Sequence, residues 1–202
     1  MPPAPLDNLD QPAYWDDRYR RGDTPWDRGT HSPALEDALR RLPPPGRVLV
    51  PGCGVGHDVR FLAVCGWQAV GIDFSPAAIA EARRRGGPEG AVYEEGDFFA
   101  LPQRLAGSFD LVWEHTCFCA IPPERREDYV RAAYGALRPG GKLLGVFFLR
   151  TGPDDPPPYS FTLKELDSYF GCRFLLEAEW LPSHCYPGRE GEEILRLFAR
   201  KD

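Results

Sequence analysis

The sequence lacks a long hydrophobic run: no stretch approaches the roughly 18 apolar residues that cross a bilayer, so no membrane partner is expected. It also lacks a basic surface. Against 24 Lys and Arg stand 30 Asp and Glu, a formal net charge of −6. The densest cationic cluster, Arg83-Arg84-Arg85, reads as the polar end of a helix. Nucleic acid is held by surplus cations, so it is excluded as the main partner and a small molecule is expected. Met1 to Pro12 lacks the basic and apolar regions of a signal peptide; a flexible tail and a cytoplasmic location are expected. Paired cysteine motifs are missing too. Cys117-x-Cys119 is the one close pair among six scattered cysteines, which read as small buried hydrophobes in a reducing compartment. No metal is expected.

What is present suits one domain. Of 202 residues, 43% are apolar and 12% aromatic, enough to bury a sheet between helices. Tyr14 to Arg21 reads as a short helix carrying Trp15 and Tyr19, and Gly22 to Asp27 as a loop broken by Gly22 and Pro25. Pro33 to Arg41 is helical, with Ser32 as N-cap. From Val48-Leu49-Val50 onward strands and helices alternate. Strands are expected at Ala69 to Asp73, Ala91 to Glu95, Phe109 to Trp113 and Lys142 to Leu149. Helices are expected at Asp58 to Cys65, from the Ser75 cap to about Arg85, at Pro123 to Leu137 and at Thr162 to Phe170. Phe174 to Trp180 and Glu193 to Ala199 read as a closing, antiparallel pair. The class is α/β, a three-layer Rossmann-like fold with a mostly parallel sheet.

In such sheets ligands sit beyond the carboxyl ends of the strands, where strand order reverses. The segment Val50-Pro51-Gly52-Cys53-Gly54-Val55-Gly56-His57-Asp58 falls there. Gly52 and Gly54 let the backbone turn tightly, and Asp73, ending the second strand, is placed to accept ribose hydroxyls. A dinucleotide fingerprint would put its third glycine where His57 stands. No basic residue precedes Arg60 to favour a pyrophosphate, so a nicotinamide oxidoreductase is disfavoured. S-adenosylmethionine, which carries no phosphate, suits the loop better. Asp97-Phe98, after the third strand, offers a carboxylate and a ring for adenine; a helix cap and a core ring is the plainer alternative. Glu114, ending the fourth strand, would need a cation or solvent.

These residues resemble the thiopurine S-methyltransferase family, most closely its thiol/halide methyltransferase branch. The matching segments are Trp15-x3-Tyr19, Thr24-Pro25-Trp26-Asp27-x-Gly29, Val50-Pro51-Gly52-Cys53-Gly54, Gly71-Ile72-Asp73-Phe74-Ser75 and Asp97-Phe98-Phe99. They continue in Phe109-Asp110-Leu111-Val112-Trp113-Glu114, Phe118-Cys119-Ala120-Ile121-x-Pro123, Arg126 and Pro157-Pro158-Tyr159. The resemblance implies a class I methyltransferase: a seven-stranded sheet with an antiparallel closing strand over residues 47–200, and lid helices over 13–42. The thiol/halide branch has Trp at all three lid positions matched by Trp15, Tyr19 and Trp26; Tyr19 departs mildly. The acidic position is Asp in both branches and Glu114 here. The next residue is Arg in thiopurine enzymes and aromatic in plant halide enzymes, and here it is His115.

The resemblance therefore implies S-adenosylmethionine as cofactor, held by Trp15, Tyr19, Trp26, Gly52, Gly54, Asp73, Phe74, Asp97, Phe98 and Glu114. Trp26, the loop from His115 to Phe118 and Tyr159 are expected around a small soft acceptor: a thiol, halide or thiocyanate. Thiopurine, aromatic thiol or metalloid acceptors and a non-catalytic cofactor-binding role are the alternatives. His115 is a candidate base for a thiol, or else a satisfied loop histidine, and Arg150 could attract an anion. A monomer is expected.

Overall fold

Runs of apolar residues without alternation become strands buried on both faces. In the computed structural model, which describes residues 11–42, 44–149 and 157–202, seven strands form one sheet, and its central strands are such runs. The seven are β1 (Arg47–Pro51), β2 (Gln68–Asp73), β3 (Ala91–Glu95), β4 (Phe109–His115), β5 (Leu137–Phe148), β6 (Phe174–Trp180) and β7 (Glu193–Arg200). Their order is β3-β2-β1-β4-β5-β7-β6. Neighbours from β3 through β5 are parallel, while β7 runs antiparallel to both β5 and β6. The sheet is the mostly parallel one expected, with the antiparallel strand inserted between β5 and β6. Strand order reverses between β1 and β4, which opens a crevice at their carboxyl ends.

Among the described residues there are six helices: α1 (Pro12–Arg21), α2 (Pro33–Leu39), α3 (His57–Val64), α4 (Pro76–Arg85), α5 (Arg126–Ala136) and α6 (Leu163–Gly171). Successive strand residues point to opposite faces, so β1 splits its side chains between two cores. Leu49 joins Val112, Phe147, Tyr129 of α5 and Phe170 of α6 on one side. Val48 and Val50 join Trp113, Leu35 of α2, Leu62 of α3 and Ile79 of α4 on the other. Helix α2 thus belongs to the core, with Ala34, Leu35 and Ala38 fully buried; it is not a lid helix, and the helical cover over the crevice is α1.

Local signals explain most of the boundaries. Ser75 caps α4 as expected, its hydroxyl accepting from the Ala78 N–H at 3.2 Å with Pro76 in the first turn. Thr162 and Glu165 form a capping box on α6. Ser32 precedes α2 but does not cap it through its side chain. Its N–H donates instead to Asp58 Oδ1 at 2.8 Å. The single helix expected over Pro123 to Leu137 is a 3₁₀ turn, Pro123–Arg125, followed by α5. It stops at Ala136 because Leu137 already pairs with Phe109 at the start of β5.

Candidate functional site

The carboxyl ends of β1, β2 and β4 and the first helix enclose a cavity of about 440 Å3. From the β1–α3 loop, Gly52 lines it with φ +56°, and a Cβ there would stand 2.9 Å from the Cys117 sulfur. Gly54 has φ +53° and backs the wall, where a Cβ would meet the Tyr19 hydroxyl at 2.6 Å. Only glycine combines that backbone with that approach. Asp73 also lines the cavity and is itself buried. Its two oxygens accept from the Gly54 N–H (2.9 Å) and the Ser75 N–H (2.9 Å). Burial pushes its carboxyl up to about 6, against the lowering effect of those N–H groups. A carboxylate so desolvated, with lone pairs to spare, suits a ligand's hydroxyl donors.

Helix α1 supplies the roof. Trp15 and Tyr19 stand one turn apart and therefore share a face. Trp26, from the loop beyond, packs edge-on against both, at 5.2 and 5.8 Å between ring centroids. The Trp26 indole donates to the Tyr19 hydroxyl at 3.1 Å, and the Arg18 guanidinium covers the outer face of Trp26 at 4.5 Å. Phe74, Asp97 and Phe98 line the cavity too. Asp97 serves both readings weighed above: it lines the cavity and it accepts from the Phe99 N–H at 2.8 Å as a helix cap.

Four expected site residues stand elsewhere. Glu114 is almost fully buried and is not among the lining residues. Its carboxylate accepts from the Cys117 and Phe118 N–H groups at 3.0 and 2.7 Å and from the Tyr129 hydroxyl, so its hydrogen bonds serve its own loop and α5. Burial pushes its carboxyl up in spite of those donors. His115 lies outside the lining. Its Nδ1 is 2.9 Å from Asp58 Oδ2, its ring stacks on Tyr186, and Asp58 also accepts from the Trp113 indole at 2.7 Å. The buried carboxylate accounts for the ring's position behind the wall. Phe118 is fully buried against Tyr129, Phe147, Phe161 and Phe170; it is core. Tyr159 gives its backbone N–H to the Cys119 carbonyl at 2.7 Å, while Pro157 and Pro158 before it line the cavity. Arg150 lies outside the described residues.

Other residues take those places. Thr116, Cys117, Cys119 and Ile121 line the cavity, as do Arg189 and Arg125, the latter paired with Asp128 at 2.6 Å. Thr116 has φ +60°, a strained backbone for a β-branched residue and of the kind that clusters at binding sites. Arg189 lies over Phe148 at 4.5 Å and pairs with the buried Glu193 at 2.9 Å. Burial, then the Glu114 charge, drives the Cys117 thiol well above its usual value and pushes Cys119 up to about 12. Both stay protonated and are poor nucleophiles themselves. Arg189 was invisible to sequence reasoning, since a lone cation between closing strands carries no periodic or motif signal. Thr116 and Cys117 fall in the loop from His115 to Phe118 that was expected at the pocket, and it is this middle of the loop, not its two ends, that lines the cavity.

Known proteins resemble this chain in sequence and in fold. A family model for thiopurine S-methyltransferase matches residues 10–181. Thiocyanate methyltransferase 1 of Arabidopsis thaliana is 33% identical over 92% of the chain and 84% of its own length. The protein of that name from Brassica oleracea is 36% identical over 72% of the chain and 66% of its own length. Thiopurine S-methyltransferase of Pseudomonas fluorescens is 28% identical over 83% and 85%. Among solved structures, a Burkholderia thailandensis 1,6-didemethyltoxoflavin N1-methyltransferase with bound S-adenosylhomocysteine superposes with a TM-score of 0.77 at 20% identity. That match covers 98% of this chain and 91% of the other and shows likeness of fold.

Proposed function

The chain belongs to the thiopurine S-methyltransferase family and is an S-adenosylmethionine-dependent methyltransferase, and from that premise we propose that its methyl acceptor is a small, soft, anionic nucleophile: a thiolate, a halide or thiocyanate. The observation that carries this is the composition of the acceptor side. Its lining is largely apolar, it includes Arg125 and Arg189, paired with Asp128 at 2.6 Å and Glu193 at 2.9 Å, and no histidine lines it among the described residues. An acceptor already anionic needs a cation to draw it in and no base to deprotonate it. The names of the plant relatives point the same way.

The residues fit the cofactor. Asp73 would hold the ribose hydroxyls, Gly52 would admit the close approach of the amino-acid end, and Asp97 with Phe98 would frame the adenine. When bound, S-adenosylmethionine supplies an electrophilic methyl on a sulfonium sulfur. Trp15, Tyr19 and Trp26 would present π faces to that charge and exclude water. Arg189, fixed by Glu193 and Phe148, would hold the anion in line with the methyl, so that positioning supplies most of the rate. His115 has no part in this scheme, because its ring pairs with Asp58 behind the wall.

The test is headspace detection of methyl iodide, methyl thiocyanate and methanethiol from protein, cofactor and each anion. Turnover is expected on at least one. Arg189→Gln, which can still donate to Glu193, should raise the anion's KM about tenfold and leave cofactor affinity unchanged, as expected for one lost charge-assisted contact. Cofactor binding without turnover on any of these anions would refute the reading.

A further inference from the structure

One side chain of α1 reaches away from the cavity and into the cofactor-binding framework. Asp16 follows Trp15 in the chain, so it lies on the helix face next to the one that roofs the cavity. Its Oδ1 accepts from the Ala77 N–H at 2.7 Å and from the Ser75 hydroxyl at 3.1 Å, across 61 and 59 residues of sequence. Its Oδ2 faces Arg20 at 2.6 Å. Ser75 in turn donates its N–H to Asp73 Oδ1 at 2.9 Å, and its hydroxyl accepts from Ala78 at 3.2 Å. A continuous path therefore runs from α1 through Asp16 and Ser75 to Asp73. The first turn of α4 offers unsatisfied N–H groups and a positive dipole end, and Asp16 answers them from a different helix.

We infer that Asp16 is a clasp: a positioning residue that holds α1 shut over the cofactor and couples the roof to the carboxylate that grips the ribose. The rest of α1 explains why one is needed. None of its residues is fully buried, its Trp15 and Tyr19 packing mainly on Trp26 of the adjoining loop, and an isolated ten-residue helix is marginal in water. Charge-assisted hydrogen bonds to a rigid helix end supply what burial does not. The coupling acts on cofactor affinity. The acceptor wall comes from the β4–α5 segment, the 157–158 turn and Arg189, and nothing in the clasp touches it.

This inference rests on the reading that Asp73 binds the ribose, and the experiment separates the two. S-adenosylhomocysteine affinity is measured by calorimetry, and trypsin cleavage at Arg20 and Arg21 is followed with and without that ligand. Asp16→Ala should weaken affinity about tenfold and speed cleavage of the free protein, with acceptor KM unchanged at saturating cofactor. Asp16→Asn keeps an acceptor for the Ala77 N–H and should recover most of both. Arg20→Ala removes only the exposed surface partner and should match the parent protein in affinity. Parental affinity and cleavage rate in Asp16→Ala would overturn the clasp. So would a rise in acceptor KM equal to the loss of cofactor affinity, the mark of general fold damage. Asp73→Asn with parental affinity would instead overturn the ribose reading, and the cleavage rate of free Asp16→Ala would then decide the clasp alone.

Discussion

Lowering the pH should weaken cofactor binding and relieve the free enzyme, two opposite effects with one cause. Burial raises the Asp73 carboxyl to about 6, well above the value of roughly 4 it has in an unfolded chain. Ionised Asp73 therefore costs native stability, on the order of 3 kcal/mol. The cost is absent below about pH 4, grows between pH 4 and pH 6, and is complete above that. Ribose hydroxyls need the ionised form as acceptor, so ligand binding must first remove a proton once the pH drops below 6. From pH 7 to pH 5 the dissociation constant of S-adenosylhomocysteine should rise by close to a factor of about ten. Denaturation of the unliganded protein over the same interval should show the Asp73 contribution moving the other way. Calorimetric titration at fixed ionic strength reads the first, and urea midpoints read the second. In Asp73→Asn the pH dependence of affinity should flatten. An affinity constant from pH 7 to pH 5 in the parent protein, or a slope that survives in Asp73→Asn, would refute the assignment of this proton.

Two further outcomes follow from the same packing. Gly54→Ala places a Cβ 2.6 Å from the Tyr19 hydroxyl at a φ of +53°, so it should displace Tyr19, weaken cofactor binding at least tenfold and cost about 1–2 kcal/mol of stability by urea denaturation. Tyr129→Phe removes one of three donors to the buried Glu114. It should lower stability by about 1–3 kcal/mol while leaving S-adenosylhomocysteine affinity nearly intact, since Glu114 lies outside the cavity lining; a large loss of affinity with unchanged stability would return Glu114 to the ligand.

The parts of the molecule that could be read from the sequence are those whose signals are local. Alternation of apolar strands with capped helices specified the layers, and Ser75, Pro76 and Thr162 behaved as their local chemistry requires. The glycine loop and Asp73 were legible because a tight turn at a strand end has few other solutions. What sequence position cannot say is which way a side chain faces once three elements compete for it. Glu114 and His115 end β4 beside the crevice, as a cofactor carboxylate and a base would. Yet each is claimed by a partner far along the chain, Glu114 by Tyr129 and His115 by Asp58. A buried carboxylate cannot be left half-satisfied, so the arrangement that best supplies it with donors wins over the ligand-facing rotamer. The same reasoning explains Phe118: in a cluster of five aromatic rings around α5 and α6 it gains more by burial than by walling a pocket. The departures Glu114 and His115 therefore stand behind the cavity lining rather than in it. On the proposed reading, acceptor preference would rest on Thr116 and Cys117, in the loop after β4, and on Arg189, whose place at the cavity depends on the closed sheet and on no pattern visible along the chain.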